Sequence, residues 1–161
     1  MRRESLFPPG APKRMIPPVN DPYNLQRFLD AQDGISATAV AELSAGRKQS
    51  HWMWFIFPQL VGLGRSATAQ YYGLVSLDET RAYLGHPVLG NRLMQCIQAI
   101  LPWAGRRTAE EILGSLDALK FRSSLTLFDQ AMPDDLFAEA LAAFFGGKRD
   151  ERTLELLNAQ A

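Results

Sequence analysis

Apolar residues recur every three to four positions along most of this chain, and the runs are interrupted by glycine, proline and short polar residues. That is the period of a helix with one buried face, not the strict alternation of a half-buried strand. Leu25, Phe28, Leu29 and Gln32 fall on one such face, which Asp33-Gly34 ends. Ser36 stands as the cap of a second helix carrying Val40 and Leu43 and stopped by Gly46. Ser76-Leu-Asp-Glu79 and Thr108-Ala-Glu-Glu111 read as capping boxes, with the hydroxyl on the first amides and the glutamate reaching back. Pro87 opens a longer helix through Leu89, Leu93, Cys96, Ile97, Ile100 and Leu101, and Pro102 closes it. Ser115 to Ala131 turns Leu116, Leu119, Leu127 and Phe128 toward a core. Leu136, Phe137, Leu141, Phe144 and Phe145 follow, then Gly146-Gly147, and Asp150 caps a last helix bearing Leu154, Leu156 and Leu157. The pattern predicts an all-α fold: a single compact domain, 23–161, of about eight short helices packed at mixed angles.

Residues 1–22 break the pattern. They hold six of the ten prolines, which suit neither a regular helix nor a central strand. This stretch reads as a disordered or extended leader, mildly basic through Arg2, Arg3, Lys13 and Arg14.

Composition narrows the function classes. The 161 residues suit one domain, and a hydrophobic share of 47% is ample for its core. Seventeen basic and seventeen acidic residues give a net charge of zero, which argues against a nucleic-acid partner needing a basic face. No apolar run is long enough for a membrane span, and the basic start is followed by no signal-like apolar segment, so a cytoplasmic protein is expected. Cys96 is the single cysteine; it allows no internal disulfide and sits in an apolar helical pattern as an inert thiol. Two histidines and one cysteine, without ligand spacing, imply no metal site, and no cofactor motif is present. The oligomeric state stays open.

One stretch, Ser50–Ser66 (SHWMWFIFPQLVGLGRS), combines aromatic area with groups that contact ligands. Its first half reads as a short buried helix, capped by Ser50 and ended by Pro58. Its second half, Gly62-Leu-Gly-Arg-Ser66, reads as a tight turn into a helix capped by Ser66, a setting that favours anions. Arg47 and Lys48, just upstream, read as solvated. The candidate site has His51 as acid, base or hydrogen-bond donor, Trp52 or Trp54 stacked on a planar ring, and Gly62, Gly64, Arg65 and Ser66 holding an anion. Gln59 joins it, and Lys120 and Ser123 of the later polar cluster form a second wall. The partner it suits is a small anionic ligand, phosphorylated or nucleotide-like. Taken singly, each residue also has a structural explanation: tryptophans are usually core and a lone histidine is usually hydrogen-bonded scaffold. The competing function is therefore a non-catalytic module that binds a ligand or a protein, with His51 and the tryptophans structural.

HWMWFIFPQLVGLGRS, followed by YYGL, SLDETRAYLGHPVLGNRL and LKFRSSLTLF, closely resembles the bacterial and fungal family called domain of unknown function 1810. The resemblance spans Tyr23 to Leu157 and covers His51, Trp52, Met53, Trp54, Phe57, Pro58, Gln59, Gly62, Leu63, Gly64 and Ser66. It also takes in Tyr72, His86, Pro87, Leu89, Asp117, Leu119, Lys120, Ser123 and Phe128. It implies a fold and site candidates, and no reaction. Some members carry a calpastatin label, but calpastatin-type inhibitors are low-complexity chains, whereas this one has residues for a full core. The helical layout and the F-L-x-A-Q element at Phe28–Gln32 are also faintly similar to the helical family that removes ADP-ribose from modified substrates.

Overall fold

The computed structural model describes residues 20–160, so most of the 1–22 leader reading lies outside the described residues. Among the described residues there are ten α-helices and no strand. They are α1 (Gln26–Gln32), α2 (Ser36–Ser44), α3 (Met53–Ile56), α4 (Ala67–Tyr71) and α5 (Leu77–Gly85), then α6 (Leu89–Ile100), α7 (Ala109–Leu113), α8 (Ser115–Ala131), α9 (Leu136–Phe145) and α10 (Glu151–Gln160). The all-α, mixed-angle expectation holds; α3 and α4, each about one turn long, stand in and just after the central stretch, where a short buried helix and a Ser66-capped helix were expected. The long α8 lies at the centre, with α5, α7, α9 and α10 packed on it, while α6 packs on α2, α5 and α9.

The core follows from the periodic apolar positions. Phe28, Leu43, Trp52, Phe57, Tyr83, Phe121, Phe128 and Phe137 are all fully buried. Burying each such side chain contributes about 1.5–3 kcal/mol. The rings form two runs, Trp52 to Phe57 to Phe121 and Phe28 to Tyr83 to Phe128 to Phe137.

Several helix starts differ from the sequence reading. Ser36 is the first residue of α2 and caps nothing. Ser50 does not cap α3; its hydroxyl goes to Glu42, and α3 begins at Met53. Asp21 instead receives the amides of Leu25 and Gln26 at the head of α1. The Thr108 capping box is complete. The Ser76 box is half made: Ser76 accepts from the Glu79 amide, but the Glu79 carboxylate serves Arg27 and the amide of Val75. His86 provides an unforeseen cap, its Nδ1 accepting the amides of Val88 and Leu89 at the start of α6. Pro87 precedes that helix, and Pro102 sits in the short 3-10 turn Leu101–Trp103 that ends it.

The face of α8 is also rotated from expectation. Leu127 and Phe128 are buried, but Leu116 and Leu119 are 74% and 54% exposed. The inward stripe is Ala118, Phe121, Leu125 and Phe128. Those positions keep the helical period, and Leu116 and Leu119 fall outside it.

Candidate functional site

The central stretch divides at Phe57-Pro58 into two flanks with different neighbours. On the first flank, Trp52 is fully buried and donates its indole N–H to Glu42 at 2.9 Å. Glu42 also accepts from the amides of Gln49 and Ser50, at 2.9 and 3.0 Å, and from the Ser50 hydroxyl. Burial alone would raise the Glu42 pKa, but the hydrogen bonds from Ser50, Gln49 and Trp52 outweigh it and pull the group down to about 2. Glu42 is thus a fixed anion that locks the 49–52 backbone onto α2.

Lys48, expected to be solvated, is instead drawn inward. Its ammonium lies 5.0 Å from the centre of the Trp52 ring and 2.9 Å from Asp117, and 8% of its side chain is exposed. Lys120 pairs with the other oxygen of Asp117 at 3.3 Å and lies 4.6 Å over the Trp54 ring. The fold therefore brings Lys120 of α8 against Trp54 of α3, a relation spacing could not supply. Trp54 is half-buried, and its indole N–H meets no acceptor among the described residues. The other two tryptophans donate theirs, Trp52 to Glu42 and Trp103 to the carbonyl of Ser44. His51 is exposed, and no hydrogen bond or ion pair holds its ring among the described residues. Ser123 is buried and gives its hydroxyl to the carbonyl of Leu119 at 3.1 Å, within its own helix.

The second flank packs elsewhere. The Gln59 carbonyl receives the Leu74 amide, and the Val61 amide returns to the Leu74 carbonyl. Gly62 has φ +101°, a backbone that favours glycine, and a Cβ there would stand 3.6 Å from Leu156. At Gly64 an added Cβ would come within 2.7 Å of the Ala69 Cβ, so this glycine allows the turn to close on α4. Ser66 caps α4 as expected, accepting the Ala69 amide at 3.1 Å. That amide is thereby spent, and α4 has five residues. Arg65 is exposed, and its carbonyl accepts from Gln70. Ile56, Phe57 and Leu60 between the flanks are buried, while the polar partners differ: Glu42 of α2 and Asp117 of α8 for the first, Leu74 and α4 for the second.

Lys48, Asp117 and Glu42 were absent from the sequence-derived site. Asp117 and Lys120 show the one readable signal, an i, i+3 pair of opposite charge; Lys48 sits in an ordinary basic loop. Among the described residues no group of three or more His, Cys, Asp or Glu could hold a metal, and no helix is long and apolar enough to cross a membrane. Cys96 is buried, and burial pushes its thiol up to about 12.

The family model described as "Protein of unknown function (DUF1810)" matches residues 22–157. No curated protein matches the chain. The crystal structure of the conserved hypothetical protein Rv1873 from Mycobacterium tuberculosis matches with a TM-score of 0.82 and 47% identity, covering 86% of this chain and 99% of that one. The chain belongs to the DUF1810 family.

Proposed function

We propose that this member of the DUF1810 family is a non-catalytic module that binds a small ligand combining a planar ring with an anionic, nucleotide-like group. The surface is Trp54, Lys120, Lys48 and Asp117, with the exposed His51 three residues before Trp54 in the chain. The observation that supports it most is the contrast among the tryptophans: Trp54 and Trp103 are both half-buried beside a cation, but among the described residues Trp54 alone leaves its N–H undonated. Lys48 and Lys120 share one carboxylate, so that one of the two positive charges stays without its own counter-charge on Asp117. A ring can lie along the open edge of Trp54 while the anion meets Lys120. Catalysis by His51 would call for a neighbour that orients the imidazole, and a binding role asks for none.

Thermal-shift titrations with ATP, ADP-ribose and inorganic phosphate, on wild type, Trp54→Ala and Lys120→Gln, test this. A ligand that binds the native state raises the melting temperature. Ring-bearing phosphates are expected to do so, with the shift lost in both variants. Equal shifts in all three proteins would sink the reading. Leu116 and Leu119, exposed next to Lys120, favour the second reading, a protein interface on the first turn of α8 with another copy of the chain as partner. Concentration-dependent self-association in sedimentation, abolished by Leu119→Glu, would move the assignment there.

A further inference from the structure

Away from the Trp54 surface, an open cleft of about 470 Å³ lies between the middle of α8 and the start of α10. Arg122, Lys148, Arg149 and Arg152 line it, against the carboxylates Asp150 and Glu151. The charges are unequally committed. Asp150 is spent on α10, its Oδ2 accepting from the amide and the hydroxyl of Thr153 at 3.0 and 2.5 Å. Arg149 is held by the buried Asp129 at 2.9 Å and by the carbonyl of Gly147 at 3.1 Å. Arg152 leans on Glu155 at 3.8 Å, both side chains well exposed.

Arg122 is different. It is partly buried, its Nε is shut off from water with no hydrogen-bond partner, and its guanidinium rests 5.9 Å from the Phe145 ring. No acceptor meets its donors among the described residues. Lys148, exposed, likewise has no ion pair there. Burying a polar donor without an acceptor costs free energy, more so for a charged one. Arg27, also buried, shows the opposite arrangement, with an acceptor for every donor; among the described residues Arg107 shares with Arg122 a buried Nε that has none. A guanidinium presents a planar fork that fits two oxygens of an oxyanion. The ten-residue α10 points its start at the same cleft, and helix geometry leaves the Glu151 and Arg152 amides without an intrahelical acceptor.

We propose that this cleft binds a phosphate-bearing small molecule, with Arg122 and Lys148 as the groups that recognise the dianion. The cleft exceeds what one phosphate fills and falls within the roughly 300–1,000 Å³ of small-molecule sites, so the phosphate belongs to a larger molecule. This site is separate from the one at Trp54 and does not depend on it.

Pyrophosphate, titrated into the full chain at low salt by calorimetry, serves as the probe. It is expected to bind wild type, to weaken as salt rises, and to lose about tenfold or more in affinity in Arg122→Gln. Lys148→Gln, at an exposed position, is expected to weaken binding severalfold, and Arg81→Gln, at an exposed cation outside both sites, to leave it unchanged. Since the Arg122 guanidinium makes no hydrogen bond and its burial costs free energy, Arg122→Gln is expected not to lower the melting temperature without ligand. The proposal is overturned by no binding at millimolar pyrophosphate, or by equal affinity in wild type and both cleft variants. A loss confined to Lys120→Gln would overturn it too, assigning the anion to the Trp54 surface instead.

Discussion

Arg27 and Glu79, 52 residues apart in sequence, meet at 2.9 Å as an ion pair buried on both sides. Arg27 spends its remaining donors on the carbonyls of Tyr71, Tyr23, Asn24 and Gly73, and the other Glu79 oxygen takes the Val75 amide. The pair thus ties α1 to the loop leaving the central stretch. Removing one partner strands a buried charge. Arg27→Met is expected to cost about 3–5 kcal/mol in urea unfolding. The double change Arg27→Met with Glu79→Leu is expected to cost less than the single one. A single variant as stable as wild type would show that the pair is not buried in solution.

Glu42 makes part of the stability acid-labile. Its folded pKa, about 2, lies below the ordinary value of 4.5. The unfolded chain therefore binds the proton first, so this contribution is present above about 4.5 and is lost as pH falls through about 2. Glu42→Gln is expected to flatten the stability profile between those two values in urea titrations. A profile as steep as wild type would place the charge elsewhere.

Burial sets the Cys96 thiol up at about 12 and closes it to reagents. The native protein is expected to leave a disulfide reagent unreacted at mildly alkaline pH, and the chain unfolded in urea to titrate one thiol. Rapid native labelling would mean that α6 opens easily.

The rotation of α8 is checked by two substitutions of the same residue type. Leu127→Ala is expected to cost about 2–5 kcal/mol, since it opens a cavity in a closed core. Leu119→Ala is expected to change stability by under about 0.5 kcal/mol. Similar costs at both positions would contradict the orientation found here.

Much of this was legible in the sequence. The helical period set the all-α class, and glycines at 34, 46 and 146 end helices with positive φ, as their placement suggested. Ser66, Thr108 and Asp150 cap the helices they precede, because a cap needs only a hydroxyl or carboxylate a few residues from its amide. Ser50 shows where such reasoning fails: its hydroxyl had a second suitor in Glu42, eight residues back, and the chain gave it to that one. The same holds for Leu116 and Leu119, which carry the right residue type outside the buried stripe.

The candidate site divides along the same line. The sequence by itself determined that a short helix would follow His51 and that Gly62 to Ser66 would turn into a Ser66-capped helix, because both facts are local. The tertiary structure decided that Trp52 is sealed and Trp54 half-buried, that Lys48 and Lys120 share Asp117, and that Arg122 and Lys148 line one cleft. Helix period and capping act over a few residues and leave a repeating mark in the chain. A charge finds its partner through the packing of whole helices, where burial strengthens the attraction and makes an unmet donor costly, and no spacing in the sequence encodes which distant group will be there.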